Sequence, residues 1–78
     1  MKVKLRGVSK VRIRGEYIKL DSLLKHAGFV STGGEAKILI RGEEVYVGGQ
    51  VCTQRGKKIT PGDVVRCGDS VLIVSSRG

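Results

Sequence analysis

Aromatic rings are scarce in this chain. Tyr17, Phe29 and Tyr46 amount to 4% of its residues, and there is no tryptophan. A platform that stacks successive single-stranded bases needs several exposed rings. Three rings, some of them required by the core, argue against that mode of binding. Cysteine is limited to Cys52 and Cys67, and histidine to His26. A structural zinc site takes four ligands and there is no C-x-x-C pair, so no metal is expected. Both cysteines fall in apparent strand patterns and read as small core or edge residues, with a structural disulfide as the alternative. No apolar run approaches the roughly 20 residues of a membrane span. The N-terminus alternates apolar and basic residues and has no signal-peptide core. A cytoplasmic location without a membrane partner is therefore expected.

Acidic residues are few, and each that stands out has a structural reading. Asp21 and Glu35 fit helix caps, and Asp63 and Asp69 fit turns. His26 has no evident nucleophile beside it. The glycine-rich stretch 28–37 superficially resembles a phosphate loop. It lacks the Gly-Lys-Ser/Thr ending, and no parallel α/β pattern surrounds it. No catalytic constellation is left, so the expectation is a protein that is not an enzyme and needs no cofactor.

Basic residues are abundant. Fifteen Lys and Arg stand against seven Asp and Glu in 78 residues, a formal charge of +8 and a pI near 10.0. That balance points to a polyanionic partner, nucleic acid first and an acidic membrane or protein second. The length fits one domain, residues 1–78, with a thin core.

Residues 2–6 and 11–14 alternate with period two, as half-buried strands do, with 7–10 able to turn between them. Paired strands would align like charges, for six basic and no acidic residues fall within 1–14. A solvated edge that blocks aggregation is the alternative reading. A third extended stretch, 16–19, leads into Leu20, Leu23, Leu24 and Ala27, which share one helical face. Asp21 suits the N-cap of that helix, and Gly28 the position past its C-cap. A capping box with Thr32 as N-cap and Glu35 three residues on starts a second helix, whose buried face is Ala36, Leu39 and Ile40. Gly42 ends it. Residues 45–47 and 50–52 flank a Gly48-Gly49 hairpin turn. A polar, basic loop covers 53–58. Thr60-Pro61-Gly62-Asp63 fits a type II turn. Residues 64–67 and 70–74 make two strands around Gly68-Asp69, and 75–78 should fray.

Several basic positions lie where a phosphate could meet them. Lys37 and Arg41 are four apart on one helix face. Lys19 and Lys25 flank the first helix. Arg55, Lys57 and Lys58 crowd one loop. The helix start at Thr32, Gly33 and Gly34 offers backbone N–H groups that a phosphate can approach closely.

The series Leu20-Asp21-x-x-Leu24, Gly28, Thr32-x-x-Glu35-Ala36, Ile40, Gly42, Val45, Val47, Gly49 and Pro61-Gly62-Asp63 resembles the S4-type RNA-binding domain, the alpha-L motif of ribosomal protein S4. The runs 18–21, 33–37 and 55–58 are similar to the stand-alone bacterial members of the YaaA and YbcJ type. The resemblance covers residues 16–67 and leaves the basic strands of 1–15 outside it. It implies an α+β fold, with a helix-turn-helix packed on a small, mostly antiparallel β-sheet. It also implies that the helices and adjoining loops hold structured RNA, commonly ribosomal or transfer RNA, in ribosome assembly or translation. Many members carry Ser-Arg where this chain has Thr32-Gly33, and Val-Asn-Gly where it has Val47-Gly48-Gly49.

The leading expectation is thus a non-catalytic, monomeric protein that binds structured RNA, ribosomal RNA first, or ribosome particles. Its RNA-binding residues would be Lys19, Lys25, Thr32, Gly33, Gly34, Lys37, Arg41, Arg55, Lys57 and Lys58. Double-helical RNA is recognised through shape, phosphates and 2′-hydroxyls, which basic faces serve without many rings. The alternatives are a basic module that docks an acidic protein, and an appendage that serves a separate RNA-modifying enzyme.

Overall fold

The computed structural model describes residues 7–76. Its elements in chain order are β1 (Gly7–Ile13), β2 (Ile18–Lys19), α1 (Leu20–His26), α2 (Gly33–Arg41), β3 (Val45–Val47), β4 (Gln50–Val51), β5 (Lys58–Ile59), β6 (Val64–Cys67) and β7 (Ser70–Ser76). Among the described residues, five strands form one sheet in the order β1-β7-β6-β3-β4, while β2 and β5 make a separate two-stranded ribbon. All pairings are antiparallel except β1 with β7. This is a small, mostly antiparallel α+β fold.

Strand β1 corrects one expectation. Residues 7–10 do not turn; they begin a strand whose register runs from Gly7↔Ser70 to Ile13↔Ser76. The partner lies at the far end of the chain, so no local pattern could reveal it. Alternation then sends Val11 and Ile13 inward and Lys10 and Arg12 outward. The same pairing keeps Ser75 and Ser76 in the ladder, where fraying was expected. The strand expected over 2–6, and its pairing, lie outside the described residues, as do 77–78.

Helix α1 buries Leu20, Leu23 and Leu24, as its spacing requires. Its N-cap is Lys19 rather than Asp21, because the chain enters the helix directly from the β2 ribbon. Its end follows the expected glycine rule. Gly28 N–H donates to the Lys25 carbonyl (3.0 Å) and Phe29 N–H to that of Leu24 (2.9 Å), a Schellman closure. That closure folds Phe29 back into the core, where it is fully buried.

Helix α2 carries the complete capping box. Glu35 N–H donates to Thr32 Oγ1 (3.1 Å), and the Glu35 carboxylate accepts from Thr32 N–H (3.2 Å). Gly42 is its C-cap, but the left-handed residue that follows is Glu43, at φ 59°. Glu43 N–H reaches the Ile40 carbonyl (3.2 Å), and Glu44 N–H that of Leu39 (3.3 Å). Space is tight one position earlier: a Cβ on Gly42 would stand 3.1 Å from the Ile38 carbonyl oxygen.

The β3–β4 hairpin turns on Gly48 and Gly49, at φ 59° and 86°, two successive positive values that a two-residue turn of this hand demands. Cys52 falls just beyond β4. The two helices pack together and, with Phe29 and Val30, cover a sheet face built from Val11, Ile13, Val45, Val65, Cys67, Leu72 and Val74, with Ile59 from the ribbon. Burying each such large side chain contributes about 1.5–3 kcal/mol.

Candidate functional site

The β2–β5 ribbon decides where the basic loop goes. Its register sets Ile18 opposite Ile59 and Lys19 opposite Lys58. Directly opposed side chains share a face, so the two isoleucines go toward the core and the two lysines outward. Helix α1 begins immediately after Lys19. Its first amides have no partner within the helix, and the loop supplies them. Leu20 N–H donates to the Lys57 carbonyl (2.9 Å), and Asp21 N–H to that of Arg55 (3.1 Å). The loop closes on itself through Lys57 N–H and the Gln54 carbonyl (3.2 Å).

Lys19, Arg55, Lys57 and Lys58 are therefore gathered at the start of α1, all of them exposed. Asp21 is the carboxylate among them. It accepts from Ser22 N–H (2.7 Å) and pairs with the Arg55 guanidinium at 3.4 Å. The pair is open to solvent, so it orients Arg55 more than it stabilises the fold. The Lys58 ammonium stands 4.9 Å over the centre of the Tyr17 ring.

The other candidate residues are distributed differently. Lys25 is exposed in the last turn of α1, away from the loop. Thr32, Gly33 and Gly34 open α2, but the Glu35 carboxylate already holds the Ser31 and Thr32 amides, which brings negative charge to that end. Lys37 is half-buried and Arg41 exposed, one turn apart on α2. The anchoring hydrogen bonds of the loop run to α1, and the packing of α1 on α2 is what relates the two basic groups.

A second basic feature escaped the sequence reading. Arg12, Ile13, Arg14, Tyr17, Ile18 and His26 line a cleft of about 460 Å³. The His26 Nε2 stands 3.2 Å from the Arg12 carbonyl oxygen, which ties the end of α1 to β1. The Arg12-x-Arg14 alternation was legible, but its meeting with His26 depends on tertiary structure.

Among the described residues, no group of three or more His, Cys, Asp or Glu could hold a metal. Cys52 and Cys67 are free thiols. Burial, and to a lesser degree the Glu44 carboxylate, push the Cys67 thiol up to about 11, so it is neither thiolate nor nucleophile near neutral pH. No helix among the described residues is long and apolar enough to cross a membrane.

A family model described as the S4 domain matches residues 11–75. The match reaches further than the resemblance over 16–67, and it takes in residues 11–15 of the N-terminal basic stretch as well as most of β7. No curated protein matches the chain.

Proposed function

Because this chain belongs to the S4 domain family, whose members generally bind RNA, we propose that it is a non-catalytic protein that binds structured RNA. Ribosomal RNA is the favoured target, in ribosome assembly or translation, in the cytoplasm of a bacterium. In this reading residues 1–78 form one domain, and α1, α2 and their connection act as a helix-turn-helix that presents the basic groups to RNA. Lys19, Arg55, Lys57 and Lys58 take phosphates at the start of α1. Lys37 and Arg41 extend the surface along α2, with Lys25, Thr32, Gly33 and Gly34 at its margin.

The observation that carries the proposal is the Lys19–Lys58 pairing. Two like charges placed directly opposite destabilise a ribbon. An anion between them converts that repulsion into a binding contribution. In a chain of net charge +8, a polyphosphate backbone is the partner that neutralises many such groups together.

The test is a pull-down of the tagged protein from cell extract, with and without ribonuclease, followed by sequencing of the recovered RNA. Enrichment of ribosomal RNA, lost together with the associated proteins on ribonuclease treatment, is the expected result. Ribonuclease-resistant capture of an acidic protein, with no RNA enriched, refutes the proposal.

A further inference from the structure

The cleft between the end of β1 and the end of α1 has a composition that the phosphate cluster does not explain. Its apolar part is Ile13, which is buried, and Ile18, which is half-buried. The rest of its lining is Arg12, Arg14, His26 and Tyr17, with no carboxylate among them. About 460 Å³ falls within the range of small-molecule sites, roughly 300–1,000 Å³. The three rings of the chain have different fates. Phe29 is fully buried, and Tyr46 lies beneath the Arg66 guanidinium at 4.6 Å. Tyr17 is 42% exposed and lines the cleft.

We infer that this cleft takes one unpaired nucleotide of the bound RNA, with its base against Tyr17 and its phosphate among Arg12, Arg14 and His26. The inference rests on the RNA-binding reading above. A paired base keeps its faces inside the helical stack and cannot enter a cleft, whereas a bulged or looped-out base exposes the surface that an aromatic ring stacks on. The guanidinium groups of Arg12 and Arg14 offer planar donor forks to phosphate oxygens. An inorganic anion would leave the isoleucines and Tyr17 unused. An apolar ligand would leave the Arg12 and Arg14 guanidinium groups desolvated with no anion beside them. A nucleotide uses both parts.

Continuity supports the same occupant. Tyr17 is shared: it lines the cleft, and the Lys58 ammonium of the phosphate cluster stands over its ring. An RNA strand whose phosphates run past Lys19 and Lys58 therefore brings a neighbouring nucleotide to the cleft mouth. The sparse rings rule out a platform for successive bases, but one base needs one ring.

The experiment compares two RNA hairpins that differ only by one bulged nucleotide, a fluorescent adenine analogue whose emission falls on stacking. The wild-type protein should prefer the bulged hairpin and quench its fluorescence. Tyr17→Ala should lose on the order of tenfold in affinity for the bulged hairpin and much less for the fully paired one, which feels only the loss of the ring beneath Lys58. Tyr17→Phe should keep the preference. Arg12→Gln with Arg14→Gln should weaken the bulged complex more than the paired one, and this variant decides the matter if Tyr17→Ala does not fold by circular dichroism. Paired and bulged hairpins bound equally by wild type, or a preference that survives Tyr17→Ala, overturn the cleft assignment and leave the RNA reading standing. Failure of wild type to bind either hairpin at low salt refutes both. Adenosine monophosphate is the third arm: tighter binding of the free nucleotide than of the bulged hairpin reassigns the cleft and overturns the inference.

Discussion

Lys19 and Lys58 are direct partners across the β2–β5 ribbon, and Lys19 is also the N-cap of α1. Two unfavourable placements coincide there. The lysine faces a like charge, and it sits at the end of a helix where the backbone dipole favours an anion.

Lys19→Glu should therefore move stability and RNA binding in opposite directions. An opposite-charge pair with Lys58, together with an acid at the helix start, should stabilise the fold by about 0.5–1 kcal/mol. For a domain this small, that raises the melting temperature by a few degrees. The same change should weaken RNA binding and lower its salt dependence by at least one phosphate contact. Thermal denaturation and a salt titration read the two effects separately. A loss of both stability and affinity would mean that Lys19 is structural.

Arg55→Ala with Lys57→Ala should flatten the dependence of log K on log salt by about 0.7–0.9 for each phosphate contact removed. Stability should change little, because the Arg55–Asp21 pair is solvent-exposed, and the loop meets α1 through backbone carbonyls that the substitutions leave in place. Lys37→Ala with Arg41→Ala should flatten the slope in the same way if both helices face the RNA. An unchanged slope in the loop variant, measured by fluorescence anisotropy, places the RNA elsewhere.

The end of α2 offers a test of the fold alone. Glu43 takes the left-handed conformation that glycine adopts without a steric cost, whereas a side chain there costs about 1 kcal/mol or more. Glu43→Gly should stabilise the protein by up to about 1 kcal/mol, the greater flexibility of the unfolded chain offsetting part of the gain. Gly42→Ala should destabilise it, because the new Cβ meets the Ile38 carbonyl oxygen at 3.1 Å. Denaturant melts of the two single variants would show shifts of opposite sign. Shifts of the same sign contradict this account of the cap.

Cys67 makes stability depend on pH only in alkali. Its folded-state value of about 11 lies above the ordinary 9.0, so the folded state holds the thiol proton more tightly than the unfolded state does. This contribution is fully present below about pH 9 and is lost as pH rises through about 11, by roughly 2–3 kcal/mol in all. Lysines and tyrosines also titrate there, so the quantity to measure is the difference between wild type and Cys67→Ala. That difference should be flat below pH 9 and should shrink above it. A difference that grows with pH is incompatible with a buried neutral thiol.

Most local devices of this protein were legible in its sequence. The leucine spacing of α1, the Thr32–Glu35 capping box, the Gly48-Gly49 hairpin and the Pro61-Gly62 turn each join residues a few positions apart, and backbone geometry alone dictates what such neighbours do. The type of the basic residues was legible too, and with it the expectation of a polyanionic partner. The assembly of the site was decided elsewhere. The register of β1 on β7, the docking of the 53–58 loop on the first amides of α1 and the meeting of Arg12, Arg14, Tyr17 and His26 around one cleft all join segments distant along the chain. Such contacts follow from the closing of the core and the need of each buried or terminal amide for a partner, conditions satisfied only when the whole chain has folded. Glu43 shows the same division at a single residue. The glycine pattern marks where α2 ends, but in the folded chain Gly42 is the C-cap in a crowded place beside the Ile38 carbonyl, and the left-handed turn falls to its neighbour.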